Sequence, residues 1–109
     1  AGASFVARGT AYGAVQLSKY IEKALLKTGF SVVEAMSPCP TVFGRRNKLK
    51  VPVDMYEELR EQSVPVKKAA TMSEEELDGM IVTGILTDVD MPEYTEEYAK
   101  LQAELGGSE

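Results

Sequence analysis

Residues 4–36 read SFVARGTAYGAVQLSKYIEKALLKTGFSVVEAM, and this stretch decides the fold. Ser4 to Arg8 is short, β-prone and ended by Gly9, the pattern of a strand leaving its sheet. From Ala14 to Lys27 the apolar residues Leu17, Ile21, Ala24 and Leu25 recur at i, i+4, i+7 and i+8, which predicts a helix burying one stripe. Gly29 is expected to close it as a C′ residue at positive φ. Phe30 to Met36 then reads as a second strand, stopped by Ser37-Pro38 because proline cannot donate to a ladder. Strand, helix and strand in so few residues make a βαβ unit, expected to be parallel and right-handed.

Outward from that unit, residues 37–51 form an irregular stretch, SPCPTVFGRRNKLKV, with prolines on both sides of the one cysteine and a basic cluster behind it. Pro52 is placed to open a helix from Val53 to Glu61 with Met55, Leu59 and Tyr56 facing the core, before Pro65 interrupts and a linker follows. Ser73 with Glu76 three residues on is a capping-box pattern for a short acidic helix to Asp78, ended by Gly79. Met80 to Thr87 is apolar enough for a third strand, in which Gly84 marks a bulge or a close backbone approach. Thr95 is expected to cap a last helix, Glu96 to Leu105, ahead of a loose tail at 106–109. The expectation is a single α/β domain over 1–109, divided into βαβ (3–36), cysteine and basic loop (37–51), and helices with a third strand (52–105).

At 109 residues there is room for one core, and 44% hydrophobic with 27% charged residues is the composition of a folding chain. No apolar run approaches the roughly 18 residues of a spanning helix, and AGASFVARG has neither a basic n-region nor an apolar h-region, so membrane and secretion readings are set aside. Histidine is absent, which removes Ser-His-Asp and Cys-His pairs, HExxH zinc sites and the usual neutral-pH base. One cysteine allows no internal disulfide and no complete thiolate cage, and a reducing, cytoplasmic setting is expected. The net charge of −5 hides an uneven division. Residues 1–50 carry eight Lys/Arg against Glu22 and Glu34, for +6, and the remainder four against fifteen acids, for −11. Such a split argues against nucleic-acid binding by the whole surface and permits one local anion site in the first half.

Five features invite a functional reading. Gly9 and Gly13 lie between strand and helix, but no third glycine completes a dinucleotide fingerprint and no GxxxxGK[ST] is present, so nucleotide binding is rejected. Lys19, Lys23 and Lys27 form a like-charged ridge at i, i+4 and i+8, read as a solvated face. Cys39 between Pro38 and Pro40 is held in a setting that suits a fixed thiolate ligand, although spacing alone fits a small buried hydrophobe as well. Arg45, Arg46, Lys48 and Lys50 lie within six positions, able to grip carboxylate or phosphate or merely to face water. The acids of EEELD and DVDMPE miss the spacing of a calcium loop and are expected to be solubilising surface.

Taken in order, GASFVARGT, KTGFSVVEAMSPCPTVFGRRN and IVTGILTDVDMPEY resemble one family over nearly the whole chain. They are similar to the C-terminal part of the β subunit of 2-oxoacid:ferredoxin oxidoreductases, and SPCPT followed by FGRRN is most like the 2-oxoglutarate type, 2-oxoglutarate synthase. The resemblance implies a partial layer of a thiamine-diphosphate-binding domain, in a subunit about two to three times longer. In that family the β subunit holds thiamine diphosphate and Mg2+ through a GDGD-type sequence and carries a 4Fe-4S cluster. Neither GDG nor the other cluster cysteines, an N-terminal CxxC and a further upstream position, occur here. The last cluster ligand maps onto Cys39. The implied activity of the parent is oxidative decarboxylation of 2-oxoglutarate with coenzyme A, giving succinyl-coenzyme A, CO2 and reduced ferredoxin. Its implied partners are α subunits, ferredoxin and coenzyme A, and Arg45, Arg46, Lys48 and Lys50 become candidates for a ferredoxin or coenzyme A contact. The segment by itself is expected to be inactive and, with uncovered strand edges and faces, to form a twofold dimer. The competing readings are the same family acting on pyruvate or another 2-oxoacid, and a non-enzymatic α/β interaction module with a buried Cys39.

Overall fold

The computed structural model describes residues 2–48 and 51–106. Its centre is strand β1 (Phe5–Thr10), joined through helix α1 (Ala14–Leu26) to strand β2 (Ser31–Met36). β1 and β2 pair in parallel from Phe5 opposite Ser31 to Thr10 opposite Met36, so the expected parallel βαβ unit is present. A π-helical turn (Pro40–Gly44) leads to helix α2 (Pro52–Glu61), strand β3 (Ser63–Pro65) and the short helices α3 (Val66–Ala69) and α4 (Glu74–Leu77). Strand β4 (Ile81–Asp88) and helix α5 (Tyr94–Gly106) complete the chain. The four strands make one mixed sheet in the order β2-β1-β4-β3, with β4 antiparallel to β1 and parallel to β3. Among the described residues no helix is long and apolar enough to cross a membrane.

The sheet has one strand more than the sequence reading predicted. The sequence reading places no strand at 63–65, only an interruption at Pro65 with a linker after it. β3 lies at the sheet edge and is only three residues long, so the missing N–H of Pro65 at its end is tolerated. The core that results is small: Phe5 and Ala7 of β1, Met55 and Leu59 of α2, Val64 of β3 and Ala69 of α3. Met55 and Leu59 face it as expected, whereas Tyr56 is exposed.

The predicted stripe on α1 is only partly realised. Leu17 and Ala24 are half-buried, but Ile21 is exposed and Leu25 and Leu26 are 82% and 80% exposed, and no residue of α1 is fully buried. The periodicity correctly marks a packing face, and nothing else in this chain covers all of it. α1 ends at Lys27 in extended conformation, so Gly29, at φ +93, lies beyond the cap instead of forming it. Its reason is a close approach: a Cβ there would overlap the hydroxyl of Ser4, a fully buried side chain. Gly84, at φ +129, is likewise a close approach, with a Cβ there falling 2.9 Å from Val66 Cγ1. The β-bulge is displaced by a residue or two, since Val6 pairs with Thr87 while Ala7 pairs with Ile85.

Two end groups also differ from expectation. Glu93, not Thr95, caps α5: its carboxylate accepts from the backbone N–H of Thr95 at 2.8 Å and of Glu96 at 3.3 Å, and from the Thr95 hydroxyl, which holds the acid below its ordinary pKa. The acids of DVDMPE are not idle surface. Asp88 bonds Lys23 at 2.7 Å and Lys27 at 2.9 Å, and Asp90 bonds Lys27 at 2.9 Å, so the lysine ridge of α1 is tied to the end of β4. The capping box is as predicted: Ser73 N–H donates to Glu76 at 2.8 Å and Glu76 N–H to the Ser73 hydroxyl at 3.3 Å. The tail beyond Gly106 and Lys50 lie outside the described residues.

Replacing Gly29 by alanine combines positive φ with the Ser4 overlap, so Gly29→Ala is expected to destabilise the chain by about 1–3 kcal/mol in urea unfolding. The lysine clamp sets a pH window. Hydrogen bonds from Lys23 and Lys27 lower the Asp88 pKa, so its stabilisation is present above the ordinary carboxylate value near 4 and is lost as pH falls through the lower folded value. Bonds to Asp90 and Asp88 raise the Lys27 pKa, so that contribution is present below about 10 and is lost as pH rises through the higher folded value. Urea midpoints measured against pH should show a plateau between those limits, and Asp88→Asn should lower the plateau and flatten its acid limb.

Candidate functional site

The loop after β2 is built by its prolines. Pro38 fixes the approach, Cys39 takes an extended conformation at φ −109 and ψ 99, and Pro40 opens the turn, where its missing N–H costs nothing. Gly44 N–H closes the turn on the Cys39 carbonyl at 3.0 Å, and Gly44 is buried. Asn47 extends it by donating from both its backbone and its side chain to the Phe43 carbonyl, at 3.0 and 2.9 Å. Lys48 follows at φ +60, the one non-glycine residue in the left-handed region among those described. Beneath the loop a cavity of about 260 Å3 is bordered by Met36, Pro38, Phe43, Met55, Leu59 and Ile81, which seats the turn on the sheet end and α2.

Cys39 is exposed, not buried as the bland reading had it. Its Sγ lies 3.5 Å from the Thr41 hydroxyl, and that contact, then the backbone N–H groups of Val42 and Phe43, hold the thiol down at about 7. The loop thus presents a half-ionised sulfur at neutral pH. Among the described residues no group of three or more Cys, Asp or Glu is arranged to hold a metal ion, so Cys39 can serve as one ligand but not as a site. Arg45, Arg46 and Lys48 are all exposed, on the turn that Cys39 begins, and among the described residues none has an acidic partner. Lys50, the fourth cation of the cluster, lies outside the described residues.

Thr41 was not singled out from sequence. The available sign was a hydroxyl two residues after the cysteine, a spacing at which serine and threonine often bond backward across a turn. Arg60 is a second such residue. Its guanidinium lies 5.7 Å from the Tyr12 ring, pinning α2 against the turn between β1 and α1, and the spacing of 48 residues hid the contact.

Because the Thr41 hydroxyl is the largest cause of the lowered thiol pKa, Thr41→Val should raise it. Alkylation of Cys39 by iodoacetamide should reach half its limiting rate near pH 7 in the parent chain and at higher pH in the variant. Identical profiles would show that the hydroxyl does not act on the sulfur.

Comparison with known proteins follows the whole chain, not the loop alone. No family model matches it. The 2-oxoglutarate synthase subunit KorB of Methanocaldococcus jannaschii is 46% identical over 101 residues, 93% of this chain and 37% of that protein. KorB of Methanothermobacter marburgensis is 45% identical over 93 residues, and KorB of Methanothermobacter thermautotrophicus 40% over 107, covering 85% and 98% of this chain and 33% and 37% of those proteins. A solved chain of 2-oxoglutarate:ferredoxin oxidoreductase from Magnetococcus marinus, with 2-oxoglutarate, coenzyme A and succinyl-CoA bound, superposes at a TM-score of 0.71 and 24% identity, over 96% of this chain and 36% of that one. That superposition establishes the fold. The chain spans about a third of the length of each relative. Over nearly all of its residues, this chain is similar to about one third of 2-oxoglutarate synthase subunit KorB.

Proposed function

We propose that the chain is the C-terminal part of the β subunit of a cytoplasmic 2-oxoglutarate:ferredoxin oxidoreductase. The parent reaction decarboxylates 2-oxoglutarate, joins the remaining acyl group to coenzyme A as succinyl-CoA, and passes two electrons to ferredoxin with release of CO2. The observation that carries this reading is the 46% identity to KorB across 93% of the chain. Pyruvate or another 2-oxoacid is the alternative substrate within the same family. The interaction-module reading, which needed a buried Cys39, is opposed by the exposed thiol.

Cys39 fits one cluster ligand: it is exposed, its thiolate is favoured, and two prolines hold its loop. A 4Fe-4S cluster, when bound, supplies a one-electron relay, and its other ligands come from outside this chain. Nothing in the chain is assigned to thiamine diphosphate or Mg2+, so the segment alone is inactive under this reading. Its own contribution is to fix one sulfur and to place exposed Arg45, Arg46 and Lys48 on the same turn, where they favour approach of an acidic carrier such as ferredoxin or of coenzyme A phosphates. The exposed face of α1 with Phe30 supports cover by the rest of the β subunit or an α subunit.

In the intact complex, Cys39→Ser should abolish the brown absorbance and the low-temperature spin-resonance signal of the cluster. Arg45→Glu with Arg46→Glu should leave that signal in place and raise the Michaelis constant for ferredoxin or for coenzyme A about tenfold at low salt, with the difference shrinking as salt rises. A complete cluster signal in Cys39→Ser would overturn the ligand assignment, and unchanged constants for both substrates would overturn the arginine assignment.

A further inference from the structure

Hydroxyls on several short segments of this chain bond in one way. Ser18 donates to the Val15 carbonyl, Ser63 to that of Leu59 and Thr71 to that of Lys68, each reaching three or four residues back along its own backbone. Thr41 does something else. Its hydroxyl meets the Sγ of Cys39, two residues back, at 3.5 Å, a hydrogen-bonding distance for the larger sulfur atom.

The loop holds this contact in place. Cys39 is extended at φ −109 and ψ 99, and Pro40–Gly44 then turn back so tightly that Gly44 N–H reaches the Cys39 carbonyl at 3.0 Å. Prolines on both sides of the cysteine restrict the chain, and β-branched Thr41 has few side-chain rotamers, so the hydroxyl keeps its direction at small entropic cost. The backbone N–H groups of Val42 and Phe43 bond the same sulfur. Which atom donates follows from the state of the sulfur: a thiol can donate or accept, but a thiolate, free or bound to iron, only accepts. The Thr41 hydroxyl is then the donor.

We propose that Thr41 sets the reduction potential of the bound cluster, its hydroxyl donating to the Cys39 sulfur where that sulfur ligates iron. The proposal rests on the assignment of Cys39 as a cluster ligand. Thr41 acts through Cys39 and is a positioning residue. Reduction adds one electron, part of whose charge resides on the ligand sulfurs, so a donor aimed at one of them stabilises the reduced state more than the oxidised one and raises the potential. No bond forms or breaks and the hydroxyl keeps its proton; the electron comes from the oxidative decarboxylation of the proposed function and leaves to ferredoxin. Loss of the donor is expected to change the ratio of reduced to oxidised cluster about three- to tenfold, and tenfold corresponds to about 59 mV for one electron.

Redox titration of the intact complex, followed by the low-temperature spin-resonance signal of the cluster, tests this. Thr41→Val keeps the branched shape and removes the donor at an exposed position, so its midpoint should be more negative by that amount. Thr41→Ser keeps the hydroxyl and should stay near the parent midpoint, and Thr41→Ala is a second donor-free variant. Equal midpoints in the parent and the donor-free variants, or equal shifts in the valine and serine variants, would overturn the proposal while leaving Cys39 a ligand. Loss of the cluster in both donor-free variants would also overturn it, by making the hydroxyl a requirement for assembly. A complete cluster signal in Cys39→Ser, where Thr41 is intact, would instead remove the ligand assignment itself, and the proposal with it.

Discussion

Everything in this chain depends on β1 being paired on both sides. β2 pairs with one edge in parallel from Phe5 to Thr10 and β4 with the other in antiparallel sense from Phe5 to Arg8, while Phe5 and Ala7 leave water completely. The two partners come from opposite ends of the chain, and their pairing is reinforced at the surface. Lys23 and Lys27 of α1 reach Asp88 at the end of β4, and Arg8 of β1 pairs with Glu34 of β2. Each such pair is modest alone, but they lie where a slip of one residue would turn the β1 side chains inside out.

The cysteine turn is a consequence of the same arrangement. β2 ends where β1 ends, and the chain must leave the sheet beside the buried face of α2. Prolines on both sides of Cys39 and the apolar seat of Met55 and Leu59 restrict the turn, so its sulfur is exposed without the loop being loose. Hydrogen bonding at the sulfur then favours thiolate over thiol, which is the form that binds iron. Arg45 and Arg46 come immediately after Gly44, so sulfur and positive charge share one short segment.

Among the described residues six apolar ones are buried, while Leu25, Leu26, Phe30 and Tyr94 are exposed on helices and strand ends. The chain spans about a third of the length of its KorB relatives, and a sheet layer with its helices leaves such outer faces uncovered. α5 shows the effect most plainly, because every residue from Tyr94 to Gly106 is exposed.

The βαβ unit, the capping box at Ser73, the third predicted strand and the singular setting of Cys39 were legible from residue order, because they rest on local periodicity and on what proline, glycine and serine do to their own backbone. The strand at 63–65 was not, because a three-residue edge strand has too little pattern of its own and exists only where β4 offers it a partner. Nor could spacing reveal that Asp88 and Asp90 clamp α1, that Glu93 displaces Thr95 as a cap, or that Leu25 stays in water. By itself the sequence determined, outside residues 63–69, which segments become helix or strand and placed a cysteine and two arginines on one turn. Only the tertiary structure decided which faces are covered and which charges are paired, because burial and ion pairing depend on contacts between residues dozens of positions apart.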